Sequence, residues 1–383
     1  MANIGTWAQQ MAQPWLLLSL GASPFLLGLD AFALGAPVLL LTLVGGALAD
    51  RSDRRRVIAF FQSIQMLCPI LLVVLLLTDS VQVWVVILLS LVVGVTDALS
   101  MPSFQSIVPS IVERDQIATG IALNSTQFNL SRILGPALAG ILMASMGLAG
   151  AFAVSAASYV PFILVAIWIL PRKITVPSTP EVGARMWDGR ALWASVRDVF
   201  NEHQLRSALL TVFVSASLCA PLITFCPLLV KDVFYGGAGQ FSIALGAFGV
   251  GGLLGASGLL ALDPKRDQRF ISSAFAINYS VIVMLAALNP LAWVLPVLLM
   301  FAGVAMTVSN ASANGLLQSQ APERIRGQSV SMFMLAMRGG MAVGSLLTGL
   351  SVHLLGVREA LLINGVVALL AQLLIRRNWL KAP

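Results

Sequence analysis

Apolar runs, each close to the roughly 20 residues a helix needs to cross a bilayer, follow one another along the whole chain. They fall at 2–21, 25–48, 57–77, 82–104, 118–145, 149–170, 206–230, 240–262, 270–289, 291–314, 328–352 and 357–375. The breaks are short turn or charge clusters such as Thr78-Asp79-Ser80 and Asn289-Pro290. A membrane β-barrel would need segments of about 10 residues alternating apolar and polar, and Pro69–Leu77 does not alternate. Only 10% of the residues are charged, too few to cover a soluble surface that typically carries about 25%. The expected fold is an all-α integral membrane protein with about twelve transmembrane helices. Cys68, Cys219 and Cys226 sit inside apolar runs and read as small hydrophobes. Two histidines without Cys/His spacing argue against zinc, so neither metal nor cofactor is expected.

The net charge of +7 sets topology rather than advertising nucleic acid. One set of loops holds 19 of the 23 Lys and Arg residues, the opposite set holds only Lys231 and Arg358, and Arg132 and Arg338 lie within runs. An even number of crossings with this bias places the basic loops and the C-terminus in the cytoplasm.

The longest polar stretch, 171–205, divides the chain into 1–170 and 206–383, each with six crossings. Pro171, Pro177 and Pro180 open it. Leu192, Trp193, Val196 and Phe200 then recur at helical spacing, which fits an amphipathic helix on the cytoplasmic leaflet or a solvated linker.

The two halves read as one unit repeated. A shift of 209 residues lays Gly94 on Gly303, Gly135 on Gly344, Gly140 on Gly349 and Gly147 on Gly356. A shift of 210 lays Glu113-Arg114 on Glu323-Arg324, and a shift of 213 lays Gly45, Asp50 and Arg56 on Gly258, Asp263 and Arg269. Repeated bundles of this kind are a transporter architecture with the substrate site between them. The same register runs off the chain before Met1, and the first crossing opens on a polar run. The first helix is therefore expected to lack its cytoplasmic end. No basic leader marks a signal peptide.

Gly46-Ala-Leu-Ala-Asp50-Arg51-Ser-Asp53-Arg54-Arg55-Arg56 resembles the signature loop of the major facilitator superfamily, with Asp53 where that family usually has Gly. Gly135-Pro136 with Gly140 resembles the Gly-Pro motif of its exporters. Pro322-Glu-Arg-Ile-Arg-Gly327 and Gly339-Gly-Met-Ala-Val-Gly344 resemble the branch of the enterobactin exporter and the transmembrane secretion effectors. The resemblance implies two pseudo-symmetric six-helix bundles around a cavity lined by crossings 1, 4, 7 and 10. Phe104, Gln105, Asn124, Gln127, Asn310 and Asn314 are the residues expected near it. It also implies small-molecule efflux through the inner membrane, with the bilayer as partner and a monomer as the working unit. Asp50 is expected to act as a cytoplasmic latch beside the start of crossing 11, supported by Arg51, Arg54 and Arg55; a carboxylate is favoured at a helix N-terminus by about 0.3–1 kcal/mol.

Asp30, Asp97, Arg132 and Arg338 lie inside crossings, where each costs at least about 2.5 kcal/mol unless paired or wetted. Depth along the helices suggests that Asp30 meets Arg338. Asp97 is expected near the level of the arginine loop, and Arg132 has no assignable partner. No phosphate-binding loop is present. An ion gradient is the remaining energy source, with Asp30 or Asp97 as the proton carrier. An enzyme would need a polar cluster at one depth, whereas these charges are dispersed. A channel, or a scaffold or receptor that transports nothing, would share the fold.

Overall fold

A computed structural model of the chain describes residues 2–111, 116–168, 197, 199–260, 267–321 and 326–379. Most of the expected linker and the Glu113-Arg114, Asp263 and Glu323-Arg324 loops lie outside the described residues.

The chain folds into helices α1 (Ala2–Ser19), α2 (Pro24–Arg51), α3 (Arg54–Leu77) and α4 (Val83–Ile111). The helical stretch Ile117–Trp168 follows, broken at Gly147 into α5 (117–146) and α6 (148–168). Then come α7 (His203–Val233), α8 (Ala238–Leu260), α9 (Gln268–Leu288), α10 (Val294–Gln320), α11 (Arg326–Leu355) and α12 (Val357–Trp379). Among the described residues, ten helices are long and apolar enough to cross a membrane. Ala2–Ser19 falls short because it carries the polar residues Gln9, Gln10 and Gln13.

Repeated devices appear at matching places. Gly147 and Gly356 turn the chain at the same point of each half, with φ of 70° and 98°, values that disfavour any side chain. Asp53 caps α3 by accepting the Arg55 N–H at 3.1 Å, and Asp267 caps α9 by accepting the Arg269 N–H at 2.9 Å. The structural equivalence of these loops is thus a shift of 214, one residue from the register read in the sequence, and it pairs Arg55 rather than Arg56 with Arg269. In each cap, burial pushes the carboxyl up, and the guanidinium and N–H of the following arginine overcome this and hold it below the usual carboxylate range. A depressed carboxyl contributes its stability above its unfolded value and loses it as pH falls through the folded one. Neither cap therefore titrates between about pH 5 and 8. Asp53→Ala and Asp267→Ala should each remove about 1 kcal/mol, read as a lower thermal midpoint in detergent that is the same at both ends of that range.

α2 is packed between α4 and α11. On the α4 side, Gly45 lies on Ala98 and Leu99, and Gly94 on the Leu34 carbonyl. On the α11 side, Gly28 meets Ser345 and Gly349, Gly35 meets Ala342, and Gly339 meets Leu39. The α8–α10 contact repeats the α2–α4 one: Gly303 faces the Phe248 carbonyl, Gly251 faces Met300 and Gly255 faces Val304. Gly258, further along α8, meets nothing within 4 Å. Gly340 and Gly344 of α11 lie on α7 at Phe213 and Ser217.

The apolar cores differ between the two ends of the molecule. At the end away from the arginine loop, one cluster joins both halves, from Leu16, Leu17 and Leu27 to Leu222, Phe225 and Phe241. Trp15 of α1 stacks on Phe241 of α8 at 5.8 Å. At the arginine-loop end, the described residues form two separate clusters. Ile58, Ala59 and Ala166 belong to the first half; Leu205, Leu316, Phe333 and Trp379 belong to the second. The α2–α11 contact nearest the arginine loop that a glycine makes is Gly339 on Leu39. One turn further on, Thr42 is exposed and Leu335 is 49% exposed. Among the described residues, the halves are thus sealed by a shared apolar core at one end and hold separate cores at the other.

Candidate functional site

Where the α2–α11 contact ends, the Arg338 Nη1 donates to the Asp97 Oδ2 at 2.8 Å. This ion pair ties α4 of the first half to α11 of the second. Its side chains are 32% and 33% exposed, so neither charge is fully enclosed by protein. The expected Asp30–Arg338 pairing is therefore corrected. α4 is longer than the apolar run suggested and ends at Ile111 rather than at 104. Asp97 is the midpoint of that helix rather than a neighbour of the arginine loop, and this central depth brings it level with Arg338.

Asp30 is buried and has other partners. Gln13 Nε2 donates to both carboxylate oxygens, at 2.9 and 3.0 Å, and the Ser90 hydroxyl donates to Oδ1. Gln13 in turn accepts from Gln9, and the Ser155 hydroxyl donates to Gln9 Oε1 at 3.1 Å. Thr6 meets the Tyr159 hydroxyl at 3.3 Å. Thr6, Gln9 and Gln13 recur at three- and four-residue spacing, so one face of α1 carries these polar contacts to α2, α4 and α6. Thr6 and Gln9, part of the polar start of the first crossing, lie on this internal face. Sequence reasoning missed Gln13 and Ser90 as partners of Asp30, and the spacing of the glutamines was the available signal.

The arginine loop is built from helix ends. The Arg54 Nε donates to the Ala49 carbonyl in the last turn of α2, at 3.2 Å. The Arg55 Nη1 donates to the Ile167 carbonyl at the end of α6, also at 3.2 Å, and its Nε and Nη2 bind Asp53. Cations are favoured at helix C-termini, so these arginines staple three helices together besides setting topology. The Asp53 that departs from the family pattern supplies the carboxylate. The side chains of Asp50 and Arg51 lie outside the described residues, as do Gln105, Asn124, Arg132, Pro136 and Gly140.

The remaining expected site residues divide. Asn310 and Asn314 stand one turn apart on α10, both half-buried, and Asn314 Oδ1 is buried without a hydrogen-bond partner. Gln127 donates to Ser131 one turn along α5 at 3.0 Å. Gly135 is buried. Phe104 does not face the cleft: its ring packs at 5.8 Å from Phe162 in the Ile58–Ala166 cluster, because α4 turns that face inward to α6. Among the described residues no group of three His, Cys, Asp or Glu could hold a metal.

Comparison with known proteins agrees with this architecture. The Staphyloferrin A transporter of Staphylococcus aureus (strain NCTC 8325 / PS 47) is 24% identical, over 95% of this chain and 90% of its own. The Multidrug efflux pump Tap of Mycolicibacterium fortuitum is 25% identical, over 96% and 92%. The Enterobactin exporter EntS of Salmonella typhi is 26% identical, over 88% and 80%. Among solved structures, a mutant of the nucleoside transporter NupG superposes with a TM-score of 0.76 at 14% identity, over 99% of this chain and 98% of its own. A bacterial homologue of the human lysosomal transporter Spinster, inward-facing and unoccupied, gives 0.72 at 16% identity, over 99% and 95%. The relatives are transporters rather than enzymes, and the chain is a multi-pass membrane protein. The family model described as transmembrane secretion effector matches residues 1–382, and the chain belongs to that family of the major facilitator superfamily.

Proposed function

We propose that this chain is a proton-coupled exporter of a small apolar or amphipathic molecule, working by alternating access between two six-helix halves, 1–170 and 206–383. The linker 171–205 joins them on the cytoplasmic side of the bacterial inner membrane. In this reading there are twelve crossings, the C-terminus is cytoplasmic, and one chain suffices. The helix packing supports a pseudo-two-fold arrangement, because exchanging the halves turns the α2–α11 contact into the α8–α5 contact, and both occur. The separate apolar cores at the arginine-loop end support reading this as the conformation open to the cytoplasm. The names of the relatives, siderophore transporters and a multidrug pump, support export of a small molecule of mixed polarity.

The observation that carries the mechanism is the Asp97–Arg338 pair spanning the two halves at the end of the cleft. With the cleft facing inward, the Arg338–Asp97 pair ties α11 of one half to α4 of the other. Substrate enters beside the pair, from the α10 face of Asn310 and Asn314. The halves then close at the arginine loop, where the Asp50 latch engages the start of α11, and open on the far side. A proton from outside neutralises Asp97, releases Arg338 and lets the empty carrier return. Asp97 thus takes the coupling role that depth alone gave to Asp30, and Asp30 holds α1 against α2 and α4. Arg132 is assigned to the cleft wall of α5, and Gly135, Pro136 and Gly140 to the bending of that helix.

Counterflow of a hydrophobic dye in proteoliposomes tests the carrier reading. External unlabelled dye should drive transient uptake of labelled dye well above protein-free vesicles. Uptake that never exceeds simple equilibration would mean a channel or a scaffold instead.

A further inference from the structure

The end of the molecule that is sealed holds a second contact between the halves, and it is built from a helix terminus. α1 ends in a pair of turn bonds, Ala22 N–H to the Leu17 carbonyl at 3.0 Å and Gly21 N–H to the Leu18 carbonyl at 3.2 Å. The second lone pair of the Leu18 carbonyl accepts the Lys231 ammonium at 2.8 Å. Leu18 is buried and belongs to the first half; Lys231 ends α7 of the second. Lys231 is one of only two basic residues in the loops on this side. The other, Arg358, also donates to a backbone carbonyl, that of Asn289 at 2.8 Å, but wholly within the second half. Of these two, Lys231 carries its charge across the boundary. Trp15 on Phe241 lies one helical turn below it, and Cys226–Leu228 touches α1 beside it.

We infer that Lys231 is the outer gate clasp: its ammonium, held on the negative C-terminal end of α1, closes the exit side and must release Leu18 each time substrate leaves. This rests on the alternating-access reading and gives it a second latch of opposite polarity. A carboxylate is assigned to a helix N-terminus on the inner side, and a cation meets a helix C-terminus on the outer side. A cation in the last turn stabilises only the conformation in which the two helices meet. Loss of the charge therefore shifts the population toward the outward-open form without altering the cleft. A purely topological lysine would need no partner on the other half.

Native Cys226 is a built-in reporter. It is a free thiol, 0% exposed in this conformation and next to the α1 contact. Intact cells would be treated with a membrane-impermeant maleimide from outside, and labelling of Cys226 followed by peptide mass spectrometry. Lys231→Met should raise its labelling rate about three- to tenfold, while Lys231→Arg, which keeps a charged donor, stays near the parent. Arg358→Met should leave the rate unchanged. If Lys231→Met does not accumulate, Lys231→Gln is read instead, with the same direction expected. Parental labelling in whichever neutral variant accumulates overturns the clasp. A parent that fails counterflow overturns the transporter reading but leaves the labelling comparison intact, so the two failures are distinguishable.

Discussion

Arg338→Met should reduce gradient-driven export by on the order of 5- to 150-fold, the range of a typical coupling free energy between sites, while the protein still folds and still exchanges dye passively. The guanidinium is about one-third exposed, so its loss does not strand a deeply buried charge. The fold tolerates the change because methionine keeps the length of the stem and packs on the same face. What disappears is the ion pair that joins α4 to α11 while the cleft faces inward. The proposed cycle then loses the contact that distinguishes its two conformations. Lysine at 338 keeps the charge but not the forked geometry and should restore part of the export. Efflux of a fluorescent amphiphile from energised cells, with and without a protonophore, measures both variants.

The second large effect is on folding. Gly344→Leu should abolish accumulation of folded protein. A β-carbon at Gly344 would overlap the Ser217 backbone of α7, where no flexible side chain can yield. Overpacking a tight contact usually costs about 1–3 kcal/mol, and four extra heavy atoms against backbone place this variant at the upper end or beyond. Gly251→Leu meets the Met300 backbone and should behave alike, whereas Gly258→Leu meets nothing within 4 Å and should be neutral. Fluorescence-detected size exclusion of the three variants reads the result as peak height. A monodisperse Gly344→Leu peak at parental height would mean that α7 and α11 do not pack as described.

Much of this molecule was legible in the sequence because membrane helices advertise themselves by length and composition. The basic loops, the repeated glycines at 147 and 356 and the signature loop each carry a mechanism that one residue type can report. The misreadings share a cause, which is that a helix's ends and facing cannot be taken from where an apolar run stops. α4 continues past the run to Ile111, so the depth of Asp97 was misjudged and Arg338 was given the wrong acid. Phe104 was assigned to the cleft on helix number alone, and the actual face of α4 turns it to Phe162. The partners of Asp30 and Lys231 could not be read from local sequence at all. Gln13 and Ser90 are separated by 77 residues and Leu18 and Lys231 by 213, and one of those contacts ends on a backbone carbonyl that no sequence pattern marks.

The central claim is that the Asp97 carboxylate couples the proton gradient to substrate movement. Inside-out membrane vesicles carrying the parent, Asp97→Asn or Asp30→Asn, with an imposed gradient acid on the inside, test it directly through accumulation of a hydrophobic dye across pH 6 to 8. The parent should accumulate dye and lose it on addition of a protonophore. Asp30→Asn should still respond to the gradient, with a lower thermal midpoint as its main defect, since Asn keeps the shape but only one of the two oxygens that accept from Gln13 and Ser90. Asp97→Asn should equilibrate dye at the parental rate of counterflow and gain nothing from the gradient. Gradient-driven accumulation by Asp97→Asn equal to that of the parent would contradict the assignment.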